Sequence, residues 1–166
     1  MPHIHTILHP TDLSETSNAA FRLACALAHD YGSELLVLHV FPPPFNGAEA
    51  VDRDRSDDLE QDLLDELHKL SPQDTTLTID YRVEEGSPAE VILDVARGCD
   101  LIVMGTHGRG GIARAFMGSV AEHVLREAAC PVITVRPTVA LPAEVTAGEV
   151  TEDHDNLNPV GVESGG

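Results

Sequence analysis

Basic residues are scarce in this chain. Ten Lys and Arg stand against 28 Asp and Glu, for a formal net charge of −18. Affinity for nucleic acid is built largely on basic surface, so no nucleic-acid partner is expected. The same surface repels nucleotides, and any phosphate site has to be made locally. Long apolar runs are also missing: none approaches the roughly 20 residues that a membrane-spanning helix needs. The opening MPHIHTILHPTD has no basic region followed by an apolar stretch, so no secretory signal is read there. Cysteine is sparse. Cys25, Cys99 and Cys130 are odd in number, unclustered and set among apolar residues. They read as reduced core residues of a cytoplasmic protein, not as a disulfide frame or a metal site. His3, His5 and His9 alternate without an acid or cysteine at metal spacing, so surface histidines are expected.

What is present is a regular alternation of strand and helix patterns. Ile4 to Leu8 is a short strand candidate, and Pro10 is expected to take the chain out of the sheet. Ser14 and Ser17 offer caps for a helix with Phe21, Ala24, Leu27, Ala28 and Tyr31 on one face, closed by Gly32. Leu35 to Phe41 is a nearly unbroken apolar run, the mark of a strand buried on both faces of a parallel sheet. After Pro42-Pro43-Pro44, the stretch from Phe45 to Arg55 reads as loop. Leu59, Leu63, Leu67 and Leu70 then form one helical stripe, with Asp57 and Glu60 as its expected cap.

Leu77, Ile79, Tyr81 and Val83 alternate with polar residues, as in a half-exposed edge strand. Ser87-Pro88-x-Glu90 is a helix start, and Gly98 ends that helix. Leu101 to Met104 is another strand, and Pro131 to Val135 is the last. The sum is β-α-β-α-β-α-β-α-β, which implies a parallel sheet with helices on both faces. Residues 138–166 carry Glu144, Glu149, Glu152, Asp153, Asp155 and Glu163 but no Lys, Arg or aromatic residue. They read as an acidic, flexible tail following a domain of residues 1–137.

The chemistry concentrates in Asp100 to Pro131. Gly105, Gly108, Gly110 and Gly111 follow a strand, and Gly118-Ser119 precede a helical pattern. Ser119 and Glu122 have capping-box spacing, so Ser119 is expected to cap that helix. Glycines let a ligand approach main-chain N–H groups, and a helix N-terminus favours phosphate. Arg109 and Arg114 offer charge-assisted contacts. A surface loop whose glycines only make turns is the plain alternative. There is no Lys in the stretch, which excludes a Walker A loop. Gly108, Gly110 and Ala113 match the dinucleotide pattern, but after a late strand and with no acid placed for a ribose.

Gly105-x2-Gly108-x9-Gly118-Ser119 resembles the ATP-binding motif of the universal stress protein family. Pro10, Asp12, Ser14 and Ser17 resemble the end of that family's first strand. Gly86-Ser87-Pro88 and Cys130-Pro131-Val132 are similar to two further markers, in the same order. The resemblance covers Ile4 to Pro137. It implies a five-stranded parallel sheet ordered 3-2-1-4-5, Rossmann-like and close to the adenine nucleotide alpha hydrolase fold. It also implies an ATP site. Asp12, helped by Pro10 and Thr11, would meet the ribose or adenine, and Val40 would present its backbone to the adenine. Gly105, His107, Gly108, Arg109, Gly118, Ser119 and Val120 would line the phosphates, with Mg2+ or Mn2+ carried on phosphate oxygens.

The bland roles remain beside these: Asp12 as a helix cap, Val40 as core, His107 and Arg109 as solvent-facing. No catalytic residue is expected, since no general base or water-positioning group stands by the phosphates. The resulting expectation is a homodimeric nucleotide sensor of the stress-response kind, with slow hydrolysis or none, paired through Val132 to Val135. A nucleotide-free interaction module and a weak ATPase are the alternatives.

Overall fold

The computed structural model describes residues 3–43, 53–70, 72, 76–106 and 117–136, with the side chains of residues 53–57 outside the description. The elements run β1 (Thr6–Thr11), α1 (Glu15–Tyr31), β2 (Glu34–Phe41), α2 (Arg53–His68), β3 (Ile79–Glu85), α3 (Pro88–Ala96), β4 (Leu101–Gly105), α4 (Ser119–Glu127) and β5 (Val132–Val135). All strand pairs are parallel, in the order β3-β2-β1-β4-β5. The expected fold class and strand order are both observed.

Side-chain alternation splits the core into two layers. On one face Ile7, Leu35, Val37, Leu101 and Val103 pack against Phe21, Ala24 and Ala28 of α1 and Leu67 of α2. On the other, Leu8, Leu36, Leu38, Ile102 and Met104 pack against Ile92 and Ala96 of α3 and Ala121 and Val124 of α4. Right-handed crossovers require this division: the chain steps from β1 outward to β3, then returns to β4 and steps the other way. β1 and β4 are therefore neighbours whose following connections depart on opposite faces. The cysteines are free and half-buried, and burial pushes the Cys25 and Cys99 thiols up to about 11. Such thiols are poor nucleophiles near neutral pH.

Several element boundaries differ from the sequence reading, among them α2 ending before Leu70 and β3 starting after Leu77, and three of the differences change a residue's role. β1 does not stop before Pro10 but continues to Thr11. In a parallel ladder, successive residues turn their N–H and C=O groups to opposite neighbours. The His5 carbonyl accepts from Glu34 N–H on the β2 side, and the Thr6 carbonyl from Asp100 N–H on the β4 side. Residue 10 therefore faces β4. Its missing N–H leaves the β2 ladder intact from Thr6↔Glu34 to Thr11↔His39, while the β4 ladder ends at Leu8↔Ile102. Next, α2 begins at Arg53, inside the stretch read as loop, so Asp57 lies within the helix rather than at its cap. The third difference, at Ser119, belongs to the site.

Candidate functional site

The carboxyl ends of β1 and β4 face one another across the point where the sheet changes direction. After β1 the chain makes a tight polar turn. Asp12 Oδ1 accepts from the Ser14 N–H at 3.1 Å and from the Ser14 hydroxyl at 2.7 Å. Ser14 is the N-cap of α1, its Oγ accepting from Ser17 N–H at 3.2 Å. Ser17 is thus inside the helix, and its hydroxyl donates to Thr11 Oγ1 at 2.8 Å. Between Asp12 and Ser14, Leu13 is held at φ 65°, a left-handed conformation uncommon for a residue with a bulky side chain. Asp12 thus acts in the lead-in to α1 through its Oδ1.

Gly105 ends β4 directly under the first turn of α1. A Cβ there would stand 3.0 Å from Thr16 Cγ2, 3.3 Å from the Thr16 carbonyl carbon and 3.4 Å from Ser17 N. The bare α-carbon lets helix and strand close up at this point. From Thr106 the chain departs, and it returns at Gly118, whose N–H donates to the Thr106 carbonyl at 2.7 Å. Thr106 also donates through its N–H and its Oγ1 to the Val135 carbonyl, at 2.9 and 3.2 Å. One buried threonine thus joins the end of β4, the end of β5 and the start of α4. Sequence reasoning passed over it, although a threonine between a strand and a glycine loop was the available signal.

Gly118, not Ser119, is the N-cap of α4. Its carbonyl accepts from Glu122 N–H at 2.9 Å, closing the first turn one residue earlier than the capping-box spacing implied. Ser119 is then the first helical residue, and the N-cap, a glycine, contributes no side-chain bond to the helix. Ser119 and Val120 sit in that first turn, where backbone N–H groups point out of the helix end.

Val40, near the end of β2, is half-buried. By the ladder alternation its carbonyl faces β1. The N–H next in line on that side, from Leu13, instead bonds Thr11 Oγ1 at 3.1 Å. Thr11 is itself buried, and its carbonyl accepts from His39 Nδ1 at 2.8 Å.

His9 is the largest departure from the sequence reading. His3 and His5 are exposed, but His9 is fully buried beside Phe21, with ring centroids 5.7 Å apart. Its Nδ1 lies 2.8 Å from the Val103 carbonyl. A carbonyl only accepts, so Nδ1 carries the proton. Nε2 has no hydrogen-bond partner among the described residues. Burial lowers the His9 pKa to about 4, against smaller opposing effects of the Val103 bond and Asp12.

The structure thus brings Pro10, Thr11, Asp12, Val40, Gly105, Gly118, Ser119 and Val120 to the carboxyl end of the sheet. His107, Gly108 and Arg109 lie outside the described residues, as do Arg114 and the tail. A separate groove of about 580 Å³ runs along α1 past the end of α2, lined in part by Arg22, His29 and Lys69. None of the described candidate residues lines it.

Comparison with known proteins agrees with this architecture. The family model described as the universal stress protein family matches residues 3–136. A universal stress protein of Thermus aquaticus is 37% identical over 144 residues, covering 79% of this chain and 98% of that one. Among solved structures, the hypothetical protein MJ0577, whose biochemical function was assigned from its structure, superposes with a TM-score of 0.71 at 26% identity, over 82% of this chain and 98% of that one. A universal stress protein in complex with cAMP gives 0.56 at 23% identity, over 81% and 98%. The Archaeoglobus fulgidus universal stress protein in complex with dAMP gives 0.53 at 21%, over 81% and 99%.

Proposed function

The chain belongs to the universal stress protein family, and we propose that it is an adenine-nucleotide-binding regulatory protein whose ligand is ATP. The observation that carries this reading is that Asp12, just past β1, and the N-terminus of α4, tied through Gly118 to Thr106 just past β4, both lie at the carboxyl ends of neighbouring strands. The first turn of a helix offers backbone N–H donors and a partial positive charge, which suit phosphate. The Val40 carbonyl suits the amino group of adenine, and Asp12 suits ribose hydroxyls. His107, Gly108 and Arg109 complete the phosphate side in this proposal. That two family members form complexes with cAMP and dAMP supports an adenine nucleotide.

Among the described residues no group of three or more His, Cys, Asp or Glu is placed to hold a metal ion. Mg2+ or Mn2+ would therefore be held through phosphate oxygens. The chain's own residues bind and orient; with no general base assigned beside the phosphates, hydrolysis is slow or absent and the role is that of a sensor. A homodimer through β5 is part of the proposal. Val132, Ile133 and Val135 are only half-buried on an edge strand, and uncovered apolar edges recruit a partner strand. No described helix is long and apolar enough to cross a membrane, and free, half-buried cysteines suit a cytoplasmic location.

Calorimetric titration with ATP and Mg2+, with GTP as control, tests the nucleotide reading. Saturable binding of ATP over GTP is expected. A folded, nucleotide-free preparation that gives no saturation overturns it. Light scattering at micromolar concentration tests the dimer, which a strictly monomeric species would exclude.

A further inference from the structure

The geometry points to His9 as a positioning residue that, together with Pro10, keeps the β1–β4 crevice open at the nucleotide end. This inference rests on the nucleotide reading for its functional half, and on the ladder geometry alone for its structural half. Thr6 faces β4 through its bond from Asp100 N–H, so Leu8 and residue 10 face β4 as well. On the opposite strand, Ile102 N–H bonds Pro131 and Thr106 N–H bonds Val135, both toward β5, so Val103 turns its carbonyl to β1. The register Leu8↔Ile102 then makes residue 10 the donor that would reach the Val103 carbonyl. Residue 10 is proline and has no N–H.

His9 Nδ1–H takes that acceptor instead, at 2.8 Å. The ring is fully buried and packed against Phe21, which fixes its direction. The consequence is specific. A buried carbonyl at the mouth of the crevice is satisfied without the backbones of β1 and β4 pairing beyond Leu8 and Ile102. Pro10 parts the strands, and His9 makes the parting tolerable. Asp12, two residues on, and Thr106, three residues past Val103, hang from the two lips so held.

The test uses the full chain as wild type, His9→Leu, His9→Asn, Pro10→Ala and the double variant, each measured for ATP affinity and for its denaturation midpoint. His9→Leu keeps bulk but loses the donor, and should weaken ATP binding about tenfold while lowering the midpoint. His9→Asn places an amide N–H where Nδ1–H stood and should recover affinity to within about threefold. Pro10→Ala supplies the ladder donor itself. In that background His9→Leu should no longer shift the midpoint, while ATP binding falls about tenfold because the lips are drawn together.

Equal midpoint losses from His9→Leu with Pro10 and with Ala at position 10 would overturn the pairing. So would His9→Asn binding as poorly as His9→Leu. If His9→Leu does not fold, His9→Asn and Pro10→Ala decide alone: affinity kept in the first and reduced in the second supports the pairing, and any other pattern overturns it. Should the wild type bind no ATP, the nucleotide reading and the functional half of this inference fail, while the midpoints still decide the structural half.

Discussion

The same two strands, β1 and β4, are clasped at one end and parted at the other. At the amino end Asp100 Oδ2 accepts from the N–H groups of both His5 and Thr6, at 2.8 and 3.0 Å, and Asp100 N–H returns a bond to the Thr6 carbonyl. These bonds hold the carboxyl of Asp100 below its ordinary range, the Thr6 and His5 amides leading. At the carboxyl end, Pro10 removes a ladder donor and a histidine ring stands in for it. The difference separates structure from use. A sheet end that only has to hold is closed with backbone and carboxylate bonds, and the end proposed to receive a ligand is built from side chains that satisfy the backbone without closing it.

The largest expected effect comes from forcing bulk into the open end. Gly105→Val would drive a side chain against the Thr16 backbone in the first turn of α1, and strain there cannot be relieved by a rotamer change. Destabilisation of about 3 kcal/mol, the upper range for overpacking, is expected by chemical denaturation. Nucleotide binding should be lost with it. A neutral result would mean that the close approach of α1 and β4 has no energetic weight.

pH distinguishes the two ends next. His9 is neutral in the fold down to about pH 4, whereas in the unfolded chain it takes up a proton near 6.5. Its folded pKa is depressed, so the unfolded state binds more protons below 6.5. Stability therefore falls as the pH drops from about 6.5 towards 4, by roughly 3 kcal/mol at full extent. His9→Leu or His9→Asn should flatten that slope, a readout taken from the pH dependence and not from the midpoint at neutral pH. Asp100 behaves as a depressed carboxyl does. Its contribution is complete above the ordinary aspartate range and is lost as pH falls through its lowered folded value. Asp100→Asn should therefore lower stability evenly above the ordinary aspartate range and flatten the slope only in the most acid part of the profile. If both variants flatten the slope over one pH range, the two ends are not separate.

Asp12 sits on the open end and carries two duties, which graded substitution can part. Asp12→Asn retains an Oδ1 that can accept from Ser14, so stability should stay within about 0.5 kcal/mol while ATP affinity drops about tenfold. Asp12→Ala loses both, adding roughly 1 kcal/mol of destabilisation from the unanchored turn. Equal ATP affinity in all three proteins would reduce Asp12 to its helix lead-in.

Much of this was legible in the residues, for identifiable reasons. Helix stripes such as Phe21, Ala24 and Ala28, the continuous run of β2, and Ser87-Pro88 all reflect local periods and fixed dihedrals that one sequence carries by itself. The strand order came from the resemblance to the universal stress protein family, which the glycine and proline markers carry. What escaped depended on a direction or a neighbour. Pro10 reads as a strand breaker, yet it breaks one ladder and not the other, because only its β4 side lacks a donor. His9 reads as exposed until a partner carbonyl on β4 is known. Ser119 has the spacing of a capping residue, but the bond from Gly118 N–H to Thr106 fixes the helix start one residue earlier. The purpose of Gly105 reads as ligand access, and its clearance from Thr16 adds a packing requirement.

The smallest net effect should come from Leu13→Gly, at the turn between β1 and α1. The φ of 65° at Leu13 costs about 1 kcal/mol for an ordinary side chain, and its side chain is partly buried against the α1 face of the core. Leu13→Gly would relieve the backbone but surrender that packing and add unfolded-state entropy. These terms are of similar size and opposite sign, so a net change below about 1 kcal/mol is expected. Leu13→Val, β-branched and less tolerant of positive φ, should instead destabilise by about 1–2 kcal/mol. The contrast between the two variants, read by denaturation, carries the information. If Leu13→Val is as harmless as Leu13→Gly, the turn is not held in that conformation, and Asp12 is positioned by its bonds to Ser14 alone.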